Sequence, residues 1–280
     1  QKRIQLELLH RKLGGNKVKE SLTEIAKAIV KRNNHFLILH GNVYDNVFFG
    51  TKQFKDIVDF MTNLESSKAL FQWCLTYDIF SGVDILRGNS KDIYLTMGIE
   101  TEKKNNKDAE LIEALKKARG EADKVVPTEP EKAFVYLDML LNKATTPTLL
   151  VIDHAETIIP SNQQVANRIE RALGVCLTKW ATNTKIRNTG HVIILIVRQA
   201  SALDEAVLDR SFESFQVRIS KPDENERQDF FKDRGDMSLC IAKASAGLSF
   251  KDLAIVKSQL PSDNNDGILD VVFAMKQKIL

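Results

Sequence analysis

Short apolar runs along the chain alternate with segments whose apolar residues recur every three or four positions. The runs predict strands buried in a sheet, and the recurring spacing predicts helices between most of them. The predicted strands lie at 36–40, 70–78, 148–153, 191–197 and 215–220. Strands separated by helices in this way imply right-handed crossovers, so the pattern predicts an α/β fold with a parallel sheet covered by helices on both faces.

The helical patterns outside these strands divide the chain further. We expect an N-terminal helical segment, an α/β core with an exposed charged insertion, a small helical subdomain and a final helix. Their ranges are 1–34, 35–220 with the insertion at about 101–126, 221–262, and 263–280.

Within the core, two helices stand out. One is predicted at 129–144, opened by a capping box of Thr128 and Glu131, and a single long helix is predicted from Gln163 to about Ile186.

Charge and cysteine content narrow the class of protein. The 40 basic and 37 acidic residues are nearly balanced and scattered, so no nucleic-acid surface is indicated. The three cysteines are far apart, which argues against a disulfide framework or a cysteine metal site and favours reduced thiols. No apolar run approaches the ~20 residues that span a bilayer, and the first residues have no signal-peptide core. We therefore predict a cytoplasmic protein without membrane contact.

The chain begins with Gln and ends within a helical pattern that has no cap. We interpret it as a piece of a longer protein.

The clearest chemical signal is the segment TLLVIDH, in which an apolar strand ends at Asp153. In open α/β sheets, groups that contact ligands lie at the carboxyl ends of the strands. A strand that ends in aspartate is common, so the order of the neighbouring motifs matters more. No Ser–His–Asp or Cys–His arrangement is legible, and His35 and His40 would point to opposite faces of one strand.

The stretch 191–231, HVIILIVRQASALDEAVLDRSFESFQVRISKPDENERQDFF, resembles AAA+ ATPases, and KASAGLSFKDLAIV at 243–256 resembles the start of a lid helix in that family. The resemblance covers roughly residues 36–260. It implies a three-layer P-loop NTPase-like sheet with a small C-terminal helical lid. In the family's strand order, strand 148–153 lies between strands 70–78 and 191–197.

The resemblance also assigns roles to single residues. Asp153 stands at the Walker B position, where it would hold Mg²⁺, and His154 replaces the catalytic glutamate, for which Glu156 is a substitute. Arg198 stands at the sensor-1 position. Arg210 is the second of the paired arginine fingers, and the first is an aspartate here.

The phosphate-binding loop departs most from the family. The order G-x-x-x-x-G-K-[ST] does not follow the first strand, where the chain reads HGNVYDNVFFGTKQF with bulky residues that would crowd a phosphate. We therefore expect the module to be inactive alone in ATP hydrolysis. The alternative is an unconventional phosphate site built from Gly41, Asn42, Lys52 and Asp153, with ATP and Mg²⁺ as its cofactors.

As a whole, the chain resembles the degenerate amino-terminal module of tandem AAA+ proteins, including the hypothetical-chloroplast-frame group. That resemblance implies a non-hydrolysing scaffold or regulatory module whose partners are proteins, among them neighbouring AAA+ subunits and a downstream AAA+ module reached through the helix at 263–280. The alternative is an ATP-binding, weakly active AAA+ ATPase. A third alternative is a clamp-loader-like or DNA-associated module, for which the predicted fold is the only support.

Overall fold

The computed structural model describes most of the chain, in the ranges 20–31, 34–49, 52–99, 126–161, 167–208, 214–260 and 267–279. Residues 1–19, all but the last residue of the charged insertion, and Arg210 lie outside the described residues. Among the described helices, none is both long and apolar enough to cross a membrane.

A six-stranded sheet forms the centre of the molecule. Its strands are β1 (Phe36–Gly41), β4 (Trp73–Asp78), β5 (Gly82–Arg87), β6 (Thr148–Ile152), β7 (Val192–Val197) and β8 (Phe215–Ile219). The spatial order is β5-β4-β6-β7-β1-β8. All neighbouring pairs are parallel except β4 and β5. The predicted parallel sheet is confirmed, and so is the place of β6 between β4 and β7.

Helices cover both faces of this sheet. They are α1 (Glu20–Lys31), α2 (Ile57–Asn63), α3 (Glu65–Leu70), α4 (Ser90–Thr96), α5 (Pro130–Lys143), α6 (Arg168–Thr182), α7 (Thr184–Thr189) and α8 (Glu205–Leu208). Phe36 and Ile38 of β1 pack in the cluster that holds α5 and α6. Leu37 and Leu39 pack in the cluster that holds α1 and α2. The apolar run of β1 thus exists because side chains on both sides of the strand are buried.

The chain also forms two strand pairs that the apolar pattern did not predict. A two-stranded antiparallel hairpin, β2 (Val47–Phe49) with β3 (Lys52–Phe54), follows β1. Strand β5 pairs with β4 across a tight turn in which the Asp78 carboxylate accepts the amides of Phe80 and Ser81. Its side chains alternate between sheltered and exposed, as expected at a sheet edge.

Two helix predictions need correction. The capping box at Thr128 is absent, because α5 begins after Glu129, whose side chain makes no cap bond. The long helix predicted from Gln163 is divided in its described part into α6 and α7. Asn183 ends α6 and caps α7 with its side chain, which accepts the amides of Lys185 and Ile186. An asparagine cap at this point starts a new helix direction.

The C-terminal part is helical and has its own apolar cluster. It consists of α9 (Glu224–Phe230), α10 (Met237–Ala244), α11 (Phe250–Gln259) and α12 (Ile268–Ile279). Phe231, Leu253 and Val272 are buried at the centre of this cluster. We call α9–α12 the C-terminal helical subdomain. Helix α12 shares the cluster through Ile268 and Val272.

Candidate functional site

The carboxyl ends of β1, β6 and β7 meet at one edge of the sheet. The amide of Gly41 donates to the carbonyl of Arg198 at 3.0 Å, which ties the end of β1 to the end of β7. The amide of Asp153, directly after β6, donates to the carbonyl of Tyr77 at 2.8 Å. Parallel strands bring these loops together because their carboxyl ends all face the same way.

Asp153 is held by two hydrogen bonds at one carboxylate oxygen. The hydroxyl of Tyr44 donates to Oδ1 at 2.9 Å, and the amide of His154 donates to the same atom at 2.8 Å. Burial raises the pKa of Asp153, and the Tyr44 hydrogen bond opposes that rise in part. The Asp153 carboxylate is therefore desolvated and already bonded to a side chain of its own chain.

His154 has a strained backbone, and its side chain is in contact with Tyr44. Its φ of 50° places it in the left-handed region, and among the described residues it is the one non-glycine with positive φ. It precedes a short 3₁₀ turn at Ala155–Thr157, in which its carbonyl accepts the amide of Thr157 at 2.8 Å. Its ring stacks on Tyr44 with centroids 4.6 Å apart, and Nδ1 lies 3.1 Å from the Tyr44 hydroxyl. Tyr44 thus covers the side chain of His154.

Arg198 and Glu156 also lie near Tyr44. The Arg198 guanidinium carbon is 5.7 Å from the centroid of the Tyr44 ring, within cation–π range. The amide of Arg198 faces Oε1 of Glu156 at 3.5 Å. Burial and the Asp153 charge raise the pKa of Tyr44, so its hydroxyl stays protonated as a donor.

The loop after β1 does not offer free amides to a phosphate at three of its positions. The amide of Gly41 bonds Arg198, that of Asn42 bonds the carbonyl of Ile219 at 2.8 Å, and that of Asn46 bonds the carboxylate of Asp45 at 2.8 Å. Gly41 has a φ of 98°, and a Cβ there would lie 2.5 Å from the Ile219 carbonyl oxygen. A phosphate nest needs converging free amides, so these residues do not fit the phosphates of Mg²⁺-ATP.

Lys52 lies apart from this edge, on the β2–β3 hairpin. Its side chain is 64% exposed, and its ammonium is 3.4 Å from the carboxylate of Glu65 at the start of α3. Arg210 falls outside the described residues. In the described part of the chain, no group of three or more His, Cys, Asp or Glu side chains is placed to hold a metal ion.

The structure thus brings Gly41, Asn42, Asp153, His154, Glu156 and Arg198 to one edge of the sheet. In the sequence, Tyr44 is one of several bulky residues in the loop, and no motif assigns a role to Asp45. Both are central, because Tyr44 touches Asp153, His154 and Arg198, and Asp45 is only 4% exposed. The available signal was an acidic residue next to an aromatic one in the loop that follows the first strand, where the resembled family binds phosphate.

Comparison with known proteins agrees with this architecture. A family model described as "AAA+ chaperone, N-terminal Rossmann-like domain" matches residues 22–218, which is most of the chain and includes all six strands of the sheet apart from the last residue of β8. No curated protein matches the chain. The matched region ends before the C-terminal helical subdomain. The chain belongs to the family of AAA+ chaperones, through their N-terminal Rossmann-like domain.

Proposed function

We propose that this chain is a non-hydrolysing AAA+ chaperone module that acts as a scaffold or regulator within a larger AAA+ assembly. The observation that carries the proposal is Tyr44, whose ring and hydroxyl cover the two residues at the Walker B position, Asp153 and His154. The module is a degenerate member of its family, and its sheet edge is filled by its own side chains.

Hydrolysis of ATP needs a metal-binding carboxylate, a group that positions water, and a cradle of amides around the phosphates. Asp153 is bonded to Tyr44 and has a raised pKa, which weakens it as a ligand for Mg²⁺. His154 stacks on Tyr44 instead of facing an open site. The amides of Gly41, Asn42 and Asn46 already have partners. Each requirement is therefore unmet for a physical reason.

The partners of such a module are proteins. Neighbouring AAA+ subunits would contact the side that carries Arg210, and a downstream AAA+ module in the same chain would follow the helix at 263–280. Support for protein partners comes from the chaperone family to which the chain belongs.

Titration with a fluorescent ATP analogue and Mg²⁺ tests the proposal directly. We expect no saturable binding by the chain, and the same result for Asp153→Ala. Tight binding that Asp153→Ala abolishes would reject the proposal. It would favour the alternative, a weakly active ATPase whose phosphate site is built from Gly41, Asn42, Lys52 and Asp153.

Arg210 is tested in the intact protein. From the sequence we expect Arg210 to be exposed, and Arg210→Ala should then leave the melting temperature of this chain nearly unchanged, because an exposed arginine contributes little to folding. In the intact protein it should slow ATP turnover by the downstream module or weaken assembly. Lys91→Ala is the matched control, since Lys91 is an exposed basic residue on α4 to which no role is assigned. If turnover and assembly are both unaffected by Arg210→Ala, Arg210 is an ordinary surface charge.

A further inference from the structure

The buried carboxylate of Asp45 joins the loop after β1 to the C-terminal helical subdomain. Within the loop it accepts the Asn42 side-chain amide and the Asn46 backbone amide, both at 2.8 Å. Across to the subdomain it accepts the backbone amides of Phe250 at 2.7 Å and Lys251 at 2.9 Å. Asp45 is 4% exposed, and a buried carboxylate is stable only when its oxygens are bonded in this way.

The two amides belong to the first turn of α11. The first amides of a helix have no partner within the helix, and they carry the positive end of its dipole. Ser249 caps the amide of Asp252 from inside the subdomain, and the Asp252 carboxylate accepts the Ser249 amide in return. The amides of Phe250 and Lys251 are left for Asp45. A negative charge from the sheet domain thus completes the start of a helix in the subdomain.

Two more contacts join the region after β1 to the C-terminal helical subdomain. The Lys251 ammonium donates to the backbone carbonyl of Tyr44, so the loop and the helix exchange bonds in both directions. Phe48, on β2, places its ring among those of the subdomain, with centroids 4.5 Å from Phe250 and 6.0 Å from Phe230. The cavity left between loop and subdomain is about 10 Å³, at the lower limit for a single water molecule.

We propose that Asp45 and Phe48 lock the C-terminal helical subdomain onto the sheet domain, so that its orientation is set by the chain itself and needs no bound ligand. Asp45 supplies charge-assisted hydrogen bonds, which fix direction, and Phe48 supplies apolar contact, which excludes water. The lock goes beyond the proposed function, because neither residue belongs to the alternative phosphate site. The distance measurement below can therefore refute the lock without refuting the proposed function, and ATP binding can refute the proposed function without refuting the lock.

The orientation can be measured by pulsed electron spin resonance on the whole chain. One spin label goes on Cys240, which is exposed on α10, and the other on Leu95→Cys, a position 68% exposed on α4, in a Cys176→Ala background. We expect one narrow distance distribution in this parent without added ligand. Asp45→Ala should broaden the distribution and speed hydrogen exchange at the amides of Phe250 and Lys251 by about tenfold or more, since the two bonds that protect them are lost.

Asp252→Ala is the matched control. It also removes an acidic side chain from the start of α11, but its hydrogen bonds stay within the subdomain. We expect the distance distribution to stay narrow in this variant. The lock is refuted if folded Asp45→Ala keeps the narrow distribution, or if Asp252→Ala broadens it equally. Should Asp45→Ala fail to fold, Phe48→Ala decides: broadening supports the lock, and an unchanged distribution overturns it.

Discussion

The hydrogen bond between Tyr44 and Asp153 makes a quantitative prediction for Tyr44→Phe. This change removes the hydroxyl and keeps the ring that stacks on His154. The lost bond joins a donor to a desolvated carboxylate at 2.9 Å, and such bonds stabilise a folded protein by about 1.5–3 kcal/mol. With a urea slope of about 2–3 kcal/mol/M, the unfolding midpoint should fall by about 0.5–1.5 M.

The loss should depend on pH. Burial raises the pKa of Asp153 in the folded state, so its contribution to stability is fully present below its unfolded pKa and is lost as the pH rises through the folded pKa. The Tyr44 hydroxyl opposes this loss because it stabilises the ionised carboxylate. Without the hydroxyl the folded pKa of Asp153 rises further. Tyr44→Phe should therefore cost more free energy of unfolding at about pH 8 than at about pH 5.

The assay is urea unfolding followed by the fluorescence of Trp73 and Trp180, at both pH values. Tyr136→Phe is the control, because Tyr136 is likewise half-buried, against the apolar cluster on the other face of the sheet, and the described residues show no partner for its hydroxyl. The control should lose little free energy of unfolding, and the loss should be the same at both pH values. An equal loss for Tyr44→Phe at both pH values, or a loss as small as that of the control, would refute the reasoning.

Two further predictions concern backbone strain and thiol chemistry. Gly41→Ala should lower the free energy of unfolding by about 1–3 kcal/mol of backbone strain, and further because the new Cβ collides with a backbone oxygen. Gly247→Ala, also at positive φ but in open space, should lose only the strain, and urea unfolding of both variants compares the two losses. Exposed Cys240 should react with a thiol reagent at once, half-buried Cys176, whose pKa burial raises to about 12, should react more slowly, and buried Cys74, whose pKa burial raises to about 11, should react only on unfolding; equal rates at pH 8 would contradict this.

The order of apolar runs and helical patterns was enough to predict five strands of a parallel sheet, and the resemblance to AAA+ ATPases predicted the place of β6 between its neighbours. A strand buried on both faces must be apolar at nearly every position, so β6 and β7 are legible as short uninterrupted runs. The same runs ended at Asp153 and Arg198, and the carboxyl ends of parallel strands share one edge. The sequence therefore also predicted that Asp153 and Arg198 lie at the same edge.

The strands at the edge of the sheet and in the hairpin were harder to predict from the sequence. Strand β5 is half exposed and pairs on one side, so its pattern GVDILR is too short and too mixed to separate from a loop. The hairpin of β2 and β3 has three residues in each strand, and it exists because Phe48 packs on the subdomain and Phe54 on Phe60. Short strands of this kind depend on neighbours that local sequence does not contain.

The contacts that fill the candidate site were decided by tertiary structure alone. Tyr44 meets Asp153 across 109 positions of sequence, and Asp45 meets Phe250 across 205. Periodicity and capping signals act over one or two helical turns, and they carry no information on pairs so far apart. The sequence by itself showed that the residue order G-x-x-x-x-G-K-[ST] does not follow β1. Only the packing of the fold determined that a tyrosine covers Asp153 and that a buried aspartate holds the first turn of α11, because each contact exists only once the sheet has brought distant loops together.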